Sequence, residues 1–164
     1  MNQTVIDAAQ QVWLVGQCFG RCLHVGCGMK TIPGAVNLDP NPERWHWSDV
    51  AGFGDRLPFA DGVFDSLVSS HVLPVFGDIV GALREMTRVL RPGGLMSHVI
   101  PDLRYAPSRA SSHHRFEKQS SGWHGPDDFK AAVGNALDDV LIIEDISNFA
   151  DFQWSFKFVA HKVL

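Results

Sequence analysis

The residues of this 164-residue chain best suited to chemistry fall at a few turns. Gly26-Cys27-Gly28 follows a short apolar run, Arg21 to Val25 (RCLHV), and Ala35 to Asp39 is a second short run that ends in a carboxylate. Glycines lack a Cβ, so the backbone there can come close to a ligand. A carboxylate at the end of the second strand can accept hydrogen bonds from both hydroxyls of a ribose. Together these features make a nucleoside-binding arrangement, with a strand-end cap as the plainer reading of Asp39. Gly54-Asp55-Arg56-Leu57-Pro58-Phe59 adds a carboxylate and apolar side chains where a purine could be held, although Asp55 could also be a turn residue. Ser69-Ser70-His71 ends another buried-type run and supplies an imidazole, the side chain best suited to proton exchange near neutral pH.

Other reactive residue types give weaker signals. Eight histidines (24, 46, 71, 98, 113, 114, 124 and 161) show no metal-ligand spacing. Cys18, Cys22 and Cys27 are odd in number and form no C-x-x-C pair, so they read as buried, reduced thiols rather than a disulfide framework or a zinc site.

Behind these residues lies an alternation of strands and helices. Thr4 to Gly16 repeats apolar residues at helical spacing, with Gly16 as a stop. The runs Arg21–Val25 and Ala35–Asp39 read as strands, and Pro40 and Pro42 prevent continuation. Residues 43–62 are loop-rich, and Phe64 to Ser70 is a buried strand. Residues 77–90 place Ile79, Val80, Leu83, Met86, Val89 and Leu90 on one helical face. Arg91-Pro92-Gly93-Gly94 ends that helix, and Leu95 to Ile100 is the next strand. Residues 103–125 are polar, without periodicity, and long enough to suggest a substrate loop. A helix over 126–136 and two strand-like runs, Asp139–Ile146 and Phe152–Val163, close the chain. The order predicts an α/β domain with a mostly parallel sheet and a terminal hairpin. No linker divides it, so residues 1–164 read as one domain with an N-terminal helix region over 1–20.

Composition narrows the class. Hydrophobic residues make up 45% and charged residues 20%, the profile of a soluble globular chain. The formal charge of −4 argues against a protein that grips nucleic acid through its overall field. No apolar run reaches the roughly 20 residues that span a bilayer, and no signal peptide is evident, so the cytoplasm is the expected compartment.

The succession of Gly-x-Gly, acidic strand end, GD-x-LPF, Phe64-Asp65 strand and Leu90-Arg91-Pro92-Gly93-Gly94 strand resembles class I S-adenosylmethionine-dependent methyltransferases. The resemblance runs from Leu23 to Asp102 and resumes at Trp154 to Lys162, which matches that family's last antiparallel strand. More narrowly, LHVGCG followed by IPGAVNLD is similar to a small subgroup reading L-N-L-G-C-G, then P-G-x-x-N-x-D. The resemblance implies a Rossmann-like sheet and S-adenosyl-L-methionine as cofactor. Gly26, Cys27 and Gly28 would pass beside its amino acid part and Asp39 would hold the ribose. Asp55 would accept from the adenine amine, with Leu57 near the ring. Ser70 and His71 would line the cofactor and face a small-molecule substrate, with His71 as first candidate for a base.

Departures from the family pattern are equally specific. His24 stands where an acidic residue is common, and Lys30 replaces the third glycine. Gly28 to Ala35 is too short for the usual crossover helix, a shortening the small subgroup shares. His71-Val72-Leu73-Pro74-Val75 replaces H-V-L-E-H, which leaves open a methyltransferase-like binding or scaffold protein that has lost catalysis. Arg104, Arg109, Arg115 and Lys118 outnumber Glu117 in the long loop, so it either attracts an anionic substrate or is simply solvated. With one crossover helix missing, exposed sheet must be covered by the N-terminal helix, by Trp45 and Trp47, or by a second copy in a homodimer.

Overall fold

The computed structural model describes residues 3–41, 47–102, 104, 125–150 and 152–164. Its strands are β1 (Cys22–Val25), β2 (Val36–Asp39), β3 (Val50–Ala51), β4 (Phe64–Ser70), β5 (Leu90–Pro101), β6 (Leu141–Phe149) and β7 (Phe152–Lys162). Among the described residues three α-helices, α1 (Gln3–Gly16), α2 (Ile79–Val89) and α3 (Pro126–Val133), accompany them. The strands form one sheet in the order β3-β2-β1-β4-β5-β7-β6. All neighbouring pairs run parallel except those of β7, which is antiparallel to both β5 and β6. The chain builds outward from β1 to β3, then returns to β4 on the other side of β1. That reversal leaves a crevice at the carboxyl ends of β1 and β4, where open α/β sheets bind ligands.

Both faces of the sheet are covered. On one, Leu23, Val25, Leu67, Met96, Ile100, Phe156 and Phe158 pack with Leu83, Met86 and Val89 of α2 and Phe129 and Val133 of α3. On the other, Leu14 of α1 packs with Cys22, Ile32, Val68 and Val99, with Trp13 against Phe149 at their margin. Thus α1 takes up part of the sheet surface that the missing crossover helix would leave bare. Trp47 is nearly half exposed, and Trp45 lies outside the described residues.

No helix joins β1 to β2, and a single side chain organises the crossover instead. Asn37 Oδ1 accepts from Ile32 N at 2.8 Å, while its Nδ2 donates to the carbonyls of Ile32 and Ala35 at 3.1 Å each. Asp49 accepts from both the Asn37 backbone N–H and Nδ2, which ties β2 to the approach to β3.

Helix boundaries follow local chemistry. Asp78 caps α2 by accepting from Gly81 N at 2.8 Å, so this helix begins two residues later than 77. The last helix stops at Val133 rather than 136, because Gly134 takes a positive φ of 43° and ends it. Strand β5 starts at Leu90, before the expected Leu95. Phe64 pairs with Leu90 and Ser66 with Leu95, so Arg91-Pro92-Gly93-Gly94 forms an irregular bulge within the strand.

One expectation needs correction. Cys18 and Cys22 are joined in a disulfide, and Cys27 is buried and takes no part in it. The turn between α1 and β1 brings the two Cα atoms to 5.5 Å, within the range a disulfide spans. Most of the candidate substrate loop, including Arg109, His113, His114, Arg115, Glu117, Lys118 and His124, lies outside the described residues.

Candidate functional site

A cavity of about 550 Å³ opens at the carboxyl ends of β1, β2 and β4. Gly26, Gly28, Asp39, Asp55, Ser70 and His71 all line it, so segments up to 45 positions apart converge on one crevice. The rest of the wall includes Asn41, Phe53, Val72, Val75 and Phe76, none of them a candidate from sequence. Val72 and Val75 belong to the segment that replaces H-V-L-E-H, whereas Asn41, Phe53 and Phe76 carry no motif and only the fold brings them there. The volume falls within the roughly 300–1,000 Å³ of small-molecule sites.

The glycine turn is shaped by its neighbours. Gly26 has a φ of 68° and Gly28 one of 52°, the left-handed region that side chains disfavour. A Cβ on Gly26 would also overlap Val72 Cγ2. Gly26 N and Cys27 N both donate to Leu38 O, at 2.8 and 3.1 Å, which fixes the turn to β2. Cys27 itself does not line the cavity. Its thiol is buried behind the turn.

Asp39 has a structural task as well as a place on the cavity wall. It is 7% exposed, with Oδ2 accepting from Gly28 N at 2.8 Å and Oδ1 from Asn41 N at 2.9 Å. Each carboxylate oxygen can accept more than one hydrogen bond, so a vicinal diol can still be bound. Asp55 also lines the cavity and is exposed. Leu57 does not reach the cavity; its side chain is 5% exposed and belongs to the core beneath.

That loop is held by α2. Leu57 N donates to Glu85 Oε1 at 2.8 Å, and Arg88 donates to the carbonyls of Leu57 and Phe59 and to Asp61. Arg88 also forks onto Glu85, a pairing that holds the Glu85 carboxyl below its usual pKa. The LPF segment therefore serves mainly as an anchor, and it carries Asp55 at its leading end.

His71 is the non-glycine residue at positive φ, 58°, among the described residues. Such a conformation is uncommon and, at a cavity wall, marks a turn held by its surroundings. Its N–H donates to Val99 O at 2.8 Å, and Nε2 meets Ser155 Oγ at 3.1 Å. Ser155 also receives Gln10 Nε2 at 2.9 Å. These partners lie 84 and 145 positions apart from theirs in sequence, and no local signal announces them.

His24 lies away from the cavity. It is buried, its pKa lowered chiefly by desolvation against the opposing effects of Asn37 and Asp39. Because Asn37 Oδ1 can only accept, the His24 Nδ1 at 3.2 Å must donate. Here the imidazole braces the crossover. At the end of β5, Asp102 is fully buried and binds Arg104 through two oxygens. One of the four loop bases is thereby matched by a carboxylate.

Comparison with known proteins agrees with this architecture. Residues 35–97 match the family model described as a methyltransferase domain. A demethylmenaquinone methyltransferase of Corynebacterium kroppenstedtii is 50% identical over 48 residues, 29% of this chain and 21% of that protein. This chain thus matches about a fifth of that relative's length. Among solved structures, an S-adenosylmethionine-dependent methyltransferase of Thermotoga maritima, described as a possible histamine N-methyltransferase, aligns with a TM-score of 0.68 and 14% identity. The alignment covers 95% of this chain and 88% of that one. A Pyrococcus horikoshii protein aligns with a TM-score of 0.66 and 17% identity, over 98% and 92% of the two chains. The sheet is the Rossmann-like sheet of class I methyltransferases, with its last strand antiparallel.

Proposed function

We propose that the protein binds S-adenosyl-L-methionine and transfers its methyl group to a small-molecule acceptor. The observation that carries this reading is the convergence of Gly26, Gly28, Asp39, Asp55 and His71 on one crevice at the sheet's reversal point. The residues present suit the cofactor: the Gly26 turn has no room for a side chain, and Asp39 is a buried acceptor at a strand end. Gly26 and Gly28 would pass the amino acid part, Asp39 would accept from the ribose hydroxyls, and Asp55 would accept from the adenine amine. When bound, the cofactor supplies an electrophilic methyl group on a sulfonium, whose leaving group is a neutral thioether.

Little acid assistance is then needed. The chain's task is to align the acceptor and exclude water. Val72, Val75 and Phe76 give the cavity an apolar wall suited to exclusion, and Ser70 and His71 stand at the end of β4, where an acceptor would approach. An acceptor that approaches there would also meet His71, the imidazole on the wall.

The same apolar wall favours a second reading, a cofactor-binding protein without transferase activity. Leu73-Pro74-Val75 forms a one-turn 3-10 helix with Leu73 and Pro74 buried, and only Val75 of the three faces the cavity. Calorimetry with S-adenosylmethionine and with its demethylated product separates the readings. Failure of both to bind would sink the cofactor assignment. Binding without methyl transfer to any of a panel of phenols, amines and quinols would favour the second.

A further inference from the structure

The chain Gln10–Ser155–His71 links helix α1 to the cavity wall through strand β7, and its hydrogen-bond polarity has a chemical consequence. Gln10 and Ser155 are 4% and 2% exposed, so bulk water does not compete for their polar atoms. The Gln10 amide nitrogen can only donate, and it donates to Ser155 Oγ at 2.9 Å. The Ser155 hydroxyl has one hydrogen, and among the described residues His71 Nε2 at 3.1 Å is the acceptor within its reach. A buried hydroxyl left without an acceptor is costly, so that hydrogen goes to Nε2. An imidazole nitrogen that accepts carries no proton, and the neutral ring must then hold its proton on Nδ1.

We propose that Gln10 and Ser155 are positioning residues that hold His71 as its Nδ1–H tautomer, so that its Nε2 does not serve as a general base in the site. The Nε2 lone pair that a base would use is already engaged by Ser155. Backbone geometry supports this. Strand β7 places Ser155 opposite Pro101 of β5, the strand between it and β4, and His71 reaches it from a left-handed turn pinned by Val99 O. The role assigned to His71 rests on the transferase reading, but the tautomer can be read without any ligand.

The test is long-range 1H–15N correlation on protein labelled with 15N-histidine, with the His71 signals assigned by comparison with His71→Gln. The spectra are recorded at a pH where the ring is neutral. In the wild type, His71 should show a protonated Nδ1 and an unprotonated Nε2. Ser155→Ala should move it toward the tautomer mixture of free imidazole. Gln10→Glu should invert it, because an ionised carboxylate takes the Ser155 hydrogen and leaves Oγ to accept from Nε2–H. A wild-type ring protonated on Nε2, or a tautomer unmoved by both substitutions, would overturn the proposal. Thermal melts check that each variant folds, and the wild-type spectrum alone decides if neither does. Calorimetry with S-adenosylmethionine on the same samples keeps the two readings apart. A wild type that shows the Nδ1–H tautomer yet binds no cofactor would retain the relay and lose the transferase assignment.

Discussion

Asp39→Ala and Asp55→Ala look alike in sequence, each removing an acidic residue from a cofactor motif, but the structure separates them. Asp39 accepts two backbone N–H groups, from Gly28 and Asn41, before any ligand arrives. Removing it leaves both donors without an acceptor, and hydrogen bonds to a charged group contribute roughly 1.5–3 kcal/mol each. Gly28 and Asn41 are only half-buried, so water replaces part of this. The ligand-free protein should therefore lose about 2–4 kcal/mol, a fall in melting temperature of roughly 5–15 °C for a chain of this size. Asp55 is exposed, and its removal should change ligand-free stability by under about 0.5 kcal/mol.

Binding should then divide the other way. Loss of one hydrogen bond between Asp55 and the adenine amine should weaken S-adenosylmethionine by about 1–2 kcal/mol, or roughly 5- to 30-fold. Asp39→Ala should abolish measurable binding, through the ribose and through the loosened glycine turn together. Urea or thermal unfolding without ligand, followed by calorimetry, measures both. An Asp39→Ala protein that melts with the wild type would refute the strut argument. An Asp55→Ala protein that binds as tightly as the wild type would refute the placement of the adenine.

Gly26→Ala should fold with a loss of about 1–2 kcal/mol from its left-handed φ, and, because its Cβ displaces Val72 at the cavity wall, its S-adenosylmethionine affinity should fall at least about tenfold. Calorimetry that shows unchanged affinity would count against that contact. Arg88→Met should release the Leu57–Asp61 loop from α2, with a loss of about 1–3 kcal/mol in urea unfolding and faster hydrogen exchange at the Leu57 amide. His98 is fully buried, and desolvation lowers its pKa from 6.5 to about 3. Below pH 6.5 the unfolded chain therefore binds a proton that the folded chain refuses until about pH 3. Stability should fall through that window by about 1.4 kcal/mol per pH unit from this group. Urea midpoints at pH 7, 6 and 5 should show the slope, and His98→Phe should flatten it. An unchanged slope in that variant would assign the effect elsewhere.

Every strand except β3, which lies in the stretch 43–62 read as loop-rich, could be read in the sequence because its physics is local. Phe64 to Ser70 is a buried run bounded by Gly62 and the His71 turn, and its limits follow from composition alone. Asp39, Asp55 and His71, which line the cavity, were legible as candidates because they stand at strand ends or a marked turn. Leu57 was misplaced because GD-x-LPF says which residues are adjacent, not which way each points; the anchoring by Glu85 and Arg88 turns its side chain into the core. The partners of His71 were not legible, since the contact that defines them spans nearly the whole chain.

The residues that replace the missing helix follow the same logic. A crossover helix normally does two things: it covers the sheet and fixes where the chain enters the next strand. Here the two tasks are divided. Leu14 of α1, from the other end of the sequence, packs on Val68 and Val99 and does the covering. Asn37 does the fixing: its amide takes the Ile32 N–H and returns hydrogens to Ile32 O and Ala35 O. Only Asn or Gln carries a carbonyl acceptor and a two-hydrogen donor on one planar group, and the longer Gln would set them one carbon further out. The Asn of the IPGAVNLD segment thus has a structural reason independent of any ligand. It also accounts for His24 in place of a carboxylate. A carboxylate there would face Asn37 Oδ1, acceptor against acceptor, whereas the His24 Nδ1–H completes the amide's hydrogen bonds.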